Sequence, residues 1–229
     1  MRKIVTCTVL AALLASTSAF AAGNLVTNGS FEQGAVPSAN SYGYAGSSDS
    51  SLPKVGTGSS DAVTGWTFNG AALSNSAQAW DPRGAVFSSV LGTVYAALQS
   101  NSSFYTKFTA TATGAFSLLW YDAGRNYSGS YDGNQTYKVS VADSSHTLWS
   151  ENYGTTTGSG PSYLTQLLNL VNGVQYTLTF TGTSSSGDHT AFIDGVSVTA
   201  VPGPIAAAGL PGLMALVGLG LYRRRQHVG

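Results

Sequence analysis

A period of two constrains this 229-residue chain more than any other feature. From Gln135 to Val141 the apolar residues Tyr137, Val139 and Val141 alternate with polar ones, and from Val174 to Phe180 the same spacing recurs in Val174, Tyr176, Leu178 and Phe180. Successive side chains of a strand point to opposite faces, so alternation of this kind specifies strands with one buried face. Nine further segments read as strands: Leu25 to Phe31, Val63 to Phe68, Ala85 to Val90, Val94 to Leu98, Phe104 to Thr111, Ala115 to Tyr121, Thr147 to Glu151, Tyr163 to Leu170 and Thr190 to Val198. The segment Tyr163 to Leu170 also fits helical spacing through Leu164, Leu167, Leu168 and Val171, and both readings stand.

Turn chemistry divides these runs at Asn69-Gly70, Asp132-Gly133, Asn172-Gly173 and Ser184 to Asp188, and Asn172-Gly173 reads as a hairpin. The stretch from Gln33 to Ser60 is polar, Gly/Ser-rich and without period, so it is expected to be a surface excursion. About ten strands in roughly 180 residues imply an all-β, two-sheet sandwich.

Both ends are set apart from that sandwich. Arg2 and Lys3 precede an apolar run from Ile4 to Leu14 and small residues ending Ala19-Phe20-Ala21, the pattern of a cleavable signal peptide over residues 1–21. The chain is therefore expected to meet export machinery and signal peptidase. The ectodomain is then 22–200. From Val201 the composition changes: Val201-Pro202-Gly203-Pro204-Ile205, an apolar span over 205–222, then Arg223, Arg224 and Arg225. Eighteen residues of helix reach about 27 Å, enough for one transmembrane helix, and the arginines place its end on the cytoplasmic side. The reading adds an N-terminal signal helix and one C-terminal transmembrane helix to the sandwich.

This layout over 201–229 resembles the PEP-CTERM sorting signals. The two prolines match, and Gly203 stands where the family has glutamate. The resemblance implies processing by an exosortase-type enzyme in a bacterium that makes extracellular polysaccharide. It further implies a protein held in the inner membrane before processing and in the cell envelope or extracellular matrix afterwards.

Charge and cysteine narrow the function. The formal net charge of zero is a product of the ends. Between them Lys54, Arg83, Lys107, Arg125 and Lys138 face ten acids, leaving about −5, which disfavours a nucleic-acid partner. The single cysteine, Cys7, lies in the signal peptide, so no disulfide framework supports the ectodomain.

No catalytic constellation emerges. His146, His189 and His227 share no metal-ligand spacing. Asp81 and Asp122 follow aromatics as a glycosidase acid can, but Asp in that position ordinarily ends a strand. The chain therefore reads as a non-enzyme.

Two segments carry a second resemblance. Asn24-Leu25-Val26-Thr27-Asn28-Gly29-Ser30-Phe31-Glu32 and Phe192-Ile193-Asp194-Gly195-Val196-Ser197-Val198, with Gly65-Trp66, look like the end strands and an early strand of carbohydrate-binding-module-like jelly rolls. The resemblance implies a jelly-roll-type sandwich with first and last strands side by side. It also implies a structural Ca2+ near their ends, with Glu32 and Asp194 at the matching acidic positions. Gly195 stands where a second Asp often lies.

Exposed aromatics stack on sugar rings, and Tyr42, Tyr44, Trp80, Tyr127, Tyr131 and Tyr153 lie in loop-like contexts suited to that, whereas Trp66, Trp120 and Trp149 read as core. The expectation is a surface protein that associates non-covalently with extracellular polysaccharide. A structural, self-assembling matrix protein is the alternative, and a glycoside hydrolase the third.

Overall fold

The computed structural model describes residues 23–39, 41–46, 54–55, 63–75, 91–126, 131–184 and 187–202. They build two sheets. The first has the order β1 (Ser41–Tyr44), β3 (Ala72–Asn75), β4 (Val94–Gln99), β12 (Asp188–Ala200), β6 (Gly114–Gly124), β10 (Ser162–Leu170), and β7 (Tyr131–Asp132) pairs with β12. The second has the order β2 (Thr67–Asn69), β5 (Ser103–Thr109), β11 (Gln175–Gly182), β8 (Thr136–Ala142), β9 (Thr147–Gly154). Every pairing is antiparallel except β7 with β12. From β10 onward each strand lies in the sheet opposite its predecessor, giving a jelly-roll-type sandwich. The compact unit runs Ala22–Val201.

The alternation does what a half-buried strand requires. Tyr137, Val139 and Val141 on β8 and Tyr176, Leu178 and Phe180 on β11 are buried between the sheets. A run of rings fills the space: Phe68 stacks on Phe104 and Phe104 on Phe180, at 5.2 and 5.1 Å between centroids, and Trp120 meets Phe180 at 6.0 Å. Burying a large apolar side chain contributes about 1.5–3 kcal/mol. This aromatic core holds the fold in place of disulfides.

One open choice is decided and three expectations change. Tyr163 to Leu170 is strand, since β10 pairs residue for residue with β6 over Ser162 to Leu170. Asn172-Gly173 is a turn but not a hairpin, because it carries the chain from β10 in one sheet to β11 in the other. Its partner is the end of β5: Gly173 N–H donates to Ala110 O at 2.8 Å, and Ala110 N–H to Val174 O at 3.0 Å. Turn residues fix a chain reversal and leave the strand partners open.

Leu25 to Phe31 runs beside the last strand as expected, but as a series of turns. Asn28 and Phe31 take φ of 53° and 58°, which breaks a pleat. The segment is fastened by Leu25 N–H to Val198 O, Val196 N–H to Gly29 O and Val198 N–H to Asn24 Oδ1, each at 2.9 Å. Gly29 is required there, because a Cβ would lie 1.8 Å from Val196 O. Finally, the excursion from Gln33 contains edge strand β1, and Ala45 and Val55 within it are buried.

Strand β3 escapes the sequence pattern because Ala72-Leu73-Ser74 is buried on both faces and shows no alternation. The expected strand Ala85 to Val90, the signal helix, Asp81, Trp80, Tyr127 and His227 lie outside the described residues, as do Gly203, Pro204, Ile205, the apolar span and Arg223, Arg224 and Arg225. Val201 and Pro202 are described, and Val201 N–H still bonds Ala115 O at 2.9 Å. Among the described residues no helix is long and apolar enough to cross a membrane.

Candidate functional site

Two places combine unusual chemistry with elements that hold it. The first lies where β1, β4, β7 and β12 meet the chain leaving β6. Asp188, the first residue of β12, is its centre. Arg125 Nη1 donates to Asp188 Oδ2 at 3.1 Å, Gln99 Nε2 donates to Asp188 Oδ1, and Tyr44 donates its hydroxyl to Gln99 Oε1. Thr190 Oγ1 reaches Asp188 Oδ1 at 3.4 Å.

The side chains of Arg125 and Asp188 are 7% and 30% exposed, so the carboxylate is at the surface and the guanidinium beneath it. Burial, with the Asp188 charge, pushes the Tyr44 hydroxyl up to about 12, so it remains a donor at any working pH. Tyr42 stands edge-on to Tyr44 with centroids 6.3 Å apart. Beside them β7 sets Tyr131 opposite Asp188 and Asp132 opposite His189. His189 Nδ1 lies 2.5 Å from Asp132 Oδ1, and this bond holds the Asp132 carboxyl below the usual range.

The cluster offers a phenol, an amide, a carboxylate and a guanidinium with aromatic surface alongside. Donors and acceptors of both kinds in reach of rings suit a hydroxyl-rich neutral ligand. A hydrolase would in addition need a carboxyl with a raised pKa beside the scissile bond. Among the described residues, Asp132 is shifted the other way, and the two carboxyls that burial raises, Asp122 and Asp194, are buried.

Asp143, Ser145 and His146 also assemble, but His146 Nδ1 faces both Ser145 Oγ at 3.1 Å and Asp143 Oδ2 at 3.0 Å. A nucleophilic triad uses the two ring nitrogens for the two partners. This is a hydrogen-bonded turn.

The second place is the pair Glu32 and Asp194. Glu32 Oε1 accepts from Thr93 N–H at 2.6 Å and Val94 N–H at 2.8 Å, which fixes it over the start of β4. Gly92, with φ of 116°, gives it room, since a Cβ there would sit 2.1 Å from Oε1. Asp194 precedes a bulge in β12 and is 0% exposed. Its Oδ1 accepts from Gly195 N–H at 2.7 Å, while Oδ2 is buried without a hydrogen-bond partner. Burial pushes this carboxyl up to about 9, with the Gly195 amide opposing and the Glu32 charge adding. A buried carboxylate with a vacant oxygen beside a second carboxylate fits a hard cation, which takes oxygen ligands, backbone carbonyls included. Among the described residues no third His, Cys, Asp or Glu joins them.

Of the expected stacking residues, the structure brings Tyr42 and Tyr44 together and places Tyr131 in the neighbouring strand. Tyr153 lies at the far margin on β9, stacked on Tyr137 at 5.7 Å and edge-on to Trp120 at 5.0 Å. One of its ring faces is thus covered by the protein itself. Burial and Glu151, which accepts from its hydroxyl at 3.1 Å, push its pKa up to about 12. Trp66 and Trp120 are buried, and Trp149 packs on the core margin.

Gln99, Arg125, Asp132, Asp188 and His189 were not legible as a group. Arg125 and the Asp188-His189 pair stand out in the sequence only as scarce charges at strand ends.

No family model matches the sequence, and neither does any curated protein. Among solved structures, TmCBM61 in complex with β-1,4-galactotriose is 12% identical over 78% of this chain and 99% of that one, with a TM-score of 0.46. The CBM22-1–GH10 modules of Clostridium thermocellum xylanase 10B, complexed with xylohexaose, are 15% identical over 61% of this chain and 27% of that one, with a TM-score of 0.41. A CBM4 structure is 10% identical over 76% and 98%, with a TM-score of 0.36. At these values the likeness carries no argument about chemistry, and this chain's own residues must carry it.

Proposed function

We propose that this chain is an exported bacterial surface protein whose β-sandwich associates non-covalently with polysaccharide. One observation carries the binding half of that reading: the relay Tyr44–Gln99–Asp188–Arg125, with Tyr42 beside it, sets hydroxyl-matching groups against aromatic surface at a partly exposed rim. Tyr131, Trp80 and Tyr127 are further stacking candidates of the same reading. The export half is supported by the N-terminal pattern over 1–21 and by the tail from Val201 to Arg225, and it ends in an exosortase-type cleavage that leaves the sandwich in the envelope or matrix.

A glycan array probed with the 22–200 unit tests the binding. The expected result is retention on neutral glycans that falls at least tenfold in Gln99→Ala and in Tyr42→Ala, read at a temperature at which each variant is fully folded. Retention equal to the parent's in both variants overturns the site.

A second reading concerns a cation. Glu32 and Asp194, with neighbouring backbone carbonyls, would hold a Ca2+ whose charge offsets both carboxylates. The buried, partnerless Asp194 Oδ2 favours it. Its place would be structural, fastening the N-terminal segment to β12.

A further inference from the structure

Every open sheet presents two outer strands whose unpaired N–H and C=O groups can template another strand. Among the described residues the outer strands are β1 and β10 in one sheet, and β2 and β9 in the other. β1 and β2 are four and three residues long, too short to pair strongly. β9 carries Glu151, and its pairing with β8 is interrupted by a register shift.

β10 differs from all three. It is nine residues long, Ser-Tyr-Leu-Thr-Gln-Leu-Leu-Asn-Leu, in unbroken register with β6. It contains no charge and no proline. Charges, prolines and bulges are the devices by which sheets discourage edge-to-edge pairing. Its outward face carries Tyr163 and Leu167, 56% and 66% exposed, the two most exposed large apolar side chains in the described structure.

We propose that β10 is a self-pairing edge, through which two copies of this chain join antiparallel into one continuous sheet. The occupant is argued to be a second copy from composition and symmetry. The unit as a whole carries about −5, yet β10 meets its own image without opposing one charge to a like charge. A two-fold axis through Gln166 pairs the whole strand: Ser162 lies opposite Leu170 of the second copy, Tyr163 opposite Asn169, and Thr165 opposite Leu167. Opposed residues then share a face, as antiparallel pairing demands. Leu167, exposed in one copy, is flanked by Thr165 of the other, and nine residues at 3.4 Å give a seam of about 30 Å. Such an interface is isologous and closes at the dimer. Gln166 Nε2 donates to Leu167 O at 2.9 Å, and on the axis this side chain must swing away to release that carbonyl to Thr165 N–H of the second copy. This inference is independent of glycan binding.

Disulfide trapping reads the register. The full chain carrying Cys7→Ser, in detergent micelles, has no other thiol. Directly opposed Cα atoms lie about 4.5–5.5 Å apart, inside the disulfide range, whereas residues offset by two do not. Under mild oxidation Gln166→Cys is expected to give at least tenfold more linked dimer than Thr165→Cys, and adding Leu167→Lys to Gln166→Cys should cut the yield about tenfold. A mixture of Thr165→Cys and Leu167→Cys chains should link to each other better than either links to itself, which tests the register without altering Gln166. Equal yields across these variants, or no dimer from Gln166→Cys and from the mixture, overturn the proposal. The tail is common to all of them, so association through it cannot mimic the pattern.

Discussion

Asp122 and Asp194 sit on neighbouring strands, one residue apart in register, on opposite faces of one sheet. Asp122 pairs with Ile193 and points between the sheets, and Asp194 pairs with Tyr121 and points outward. Both are buried and both carboxyls are pushed up by that burial. They differ in how completely they are satisfied. Asp122 Oδ2 accepts from Tyr137 at 2.7 Å, and Tyr137 in turn accepts from Trp120 Nε1 at 3.0 Å, a closed relay across the core. Asp194 has one oxygen bonded and one vacant. A completed buried network ties two sheets together, while an incomplete one calls for a proton or a cation to finish it.

Breaking the closed side should have the largest effect. Tyr137→Phe leaves the Trp120 indole N–H and the Asp122 carboxyl without their partner. At about 1–3 kcal/mol for each unsatisfied buried group, the expected loss is about 2–6 kcal/mol. A domain of this size loses about 2–4 °C of Tm per kcal/mol, so calorimetry should show a drop of about 4–24 °C. Adding Asp122→Leu should recover part of it, because removing both polar partners costs less than removing one. A Tm within 2 °C of the parent's in Tyr137→Phe would mean the relay contributes little.

The open side should respond to pH and calcium instead. The Asp194 carboxyl is raised to about 9 in the folded protein, against about 3.9 unfolded. Between those values the folded state holds the extra proton, so the stability it contributes is full below about pH 4 and is lost as pH rises toward 9. In chelator, Tm should fall steadily from pH 5 to pH 8. Calcium at a hundredfold excess over its Kd should restore about 2.7 kcal/mol, or about 5–10 °C, at pH 8 and less at pH 5. Asp194→Asn should flatten both responses, and Gly92→Ala should weaken the calcium response by displacing Glu32. A Tm that ignores pH and calcium alike in the parent would make Asp194 as closed as Asp122.

The contrast also separates what sequence can carry from what it cannot. Alternation announced β8 and β11 because that signal is local, whereas Glu32 and Asp194 were singled out through the resemblance of the two end segments to jelly-roll strands. The jelly-roll crossing at Asn172-Gly173 was read as a hairpin because a turn pair is silent on which strand its flanks will join. The left-handed Asn28 and Phe31 turned an apolar run into bends held by β12, which no local period reveals. The Asp188 cluster draws on Tyr44, Gln99 and Arg125, each far from the others in the chain, so only the fold assembles it. Asp122 follows an aromatic pair like a candidate acid, and only the fold reveals its tie to Tyr137 across the core.

Asp143 supplies the reference point for both buried acids, and the smallest effect. Its carboxylate accepts from Ser145 N–H at 2.7 Å and His146 N–H at 2.9 Å in a surface turn, and these bonds hold its pKa down to about 2. The sign is opposite to that of Asp194: the contribution is present above the unfolded value of about 3.9 and lost as pH falls toward 2. Solvent competes for every one of these bonds, so Asp143→Asn should shift Tm at pH 7 by no more than about 2 °C. Its difference from the parent should vanish in acid, where both side chains are neutral. Equal losses from Asp143→Asn and Tyr137→Phe at pH 7 would show that hydrogen bonding, and not burial, sets what a carboxylate is worth in this fold.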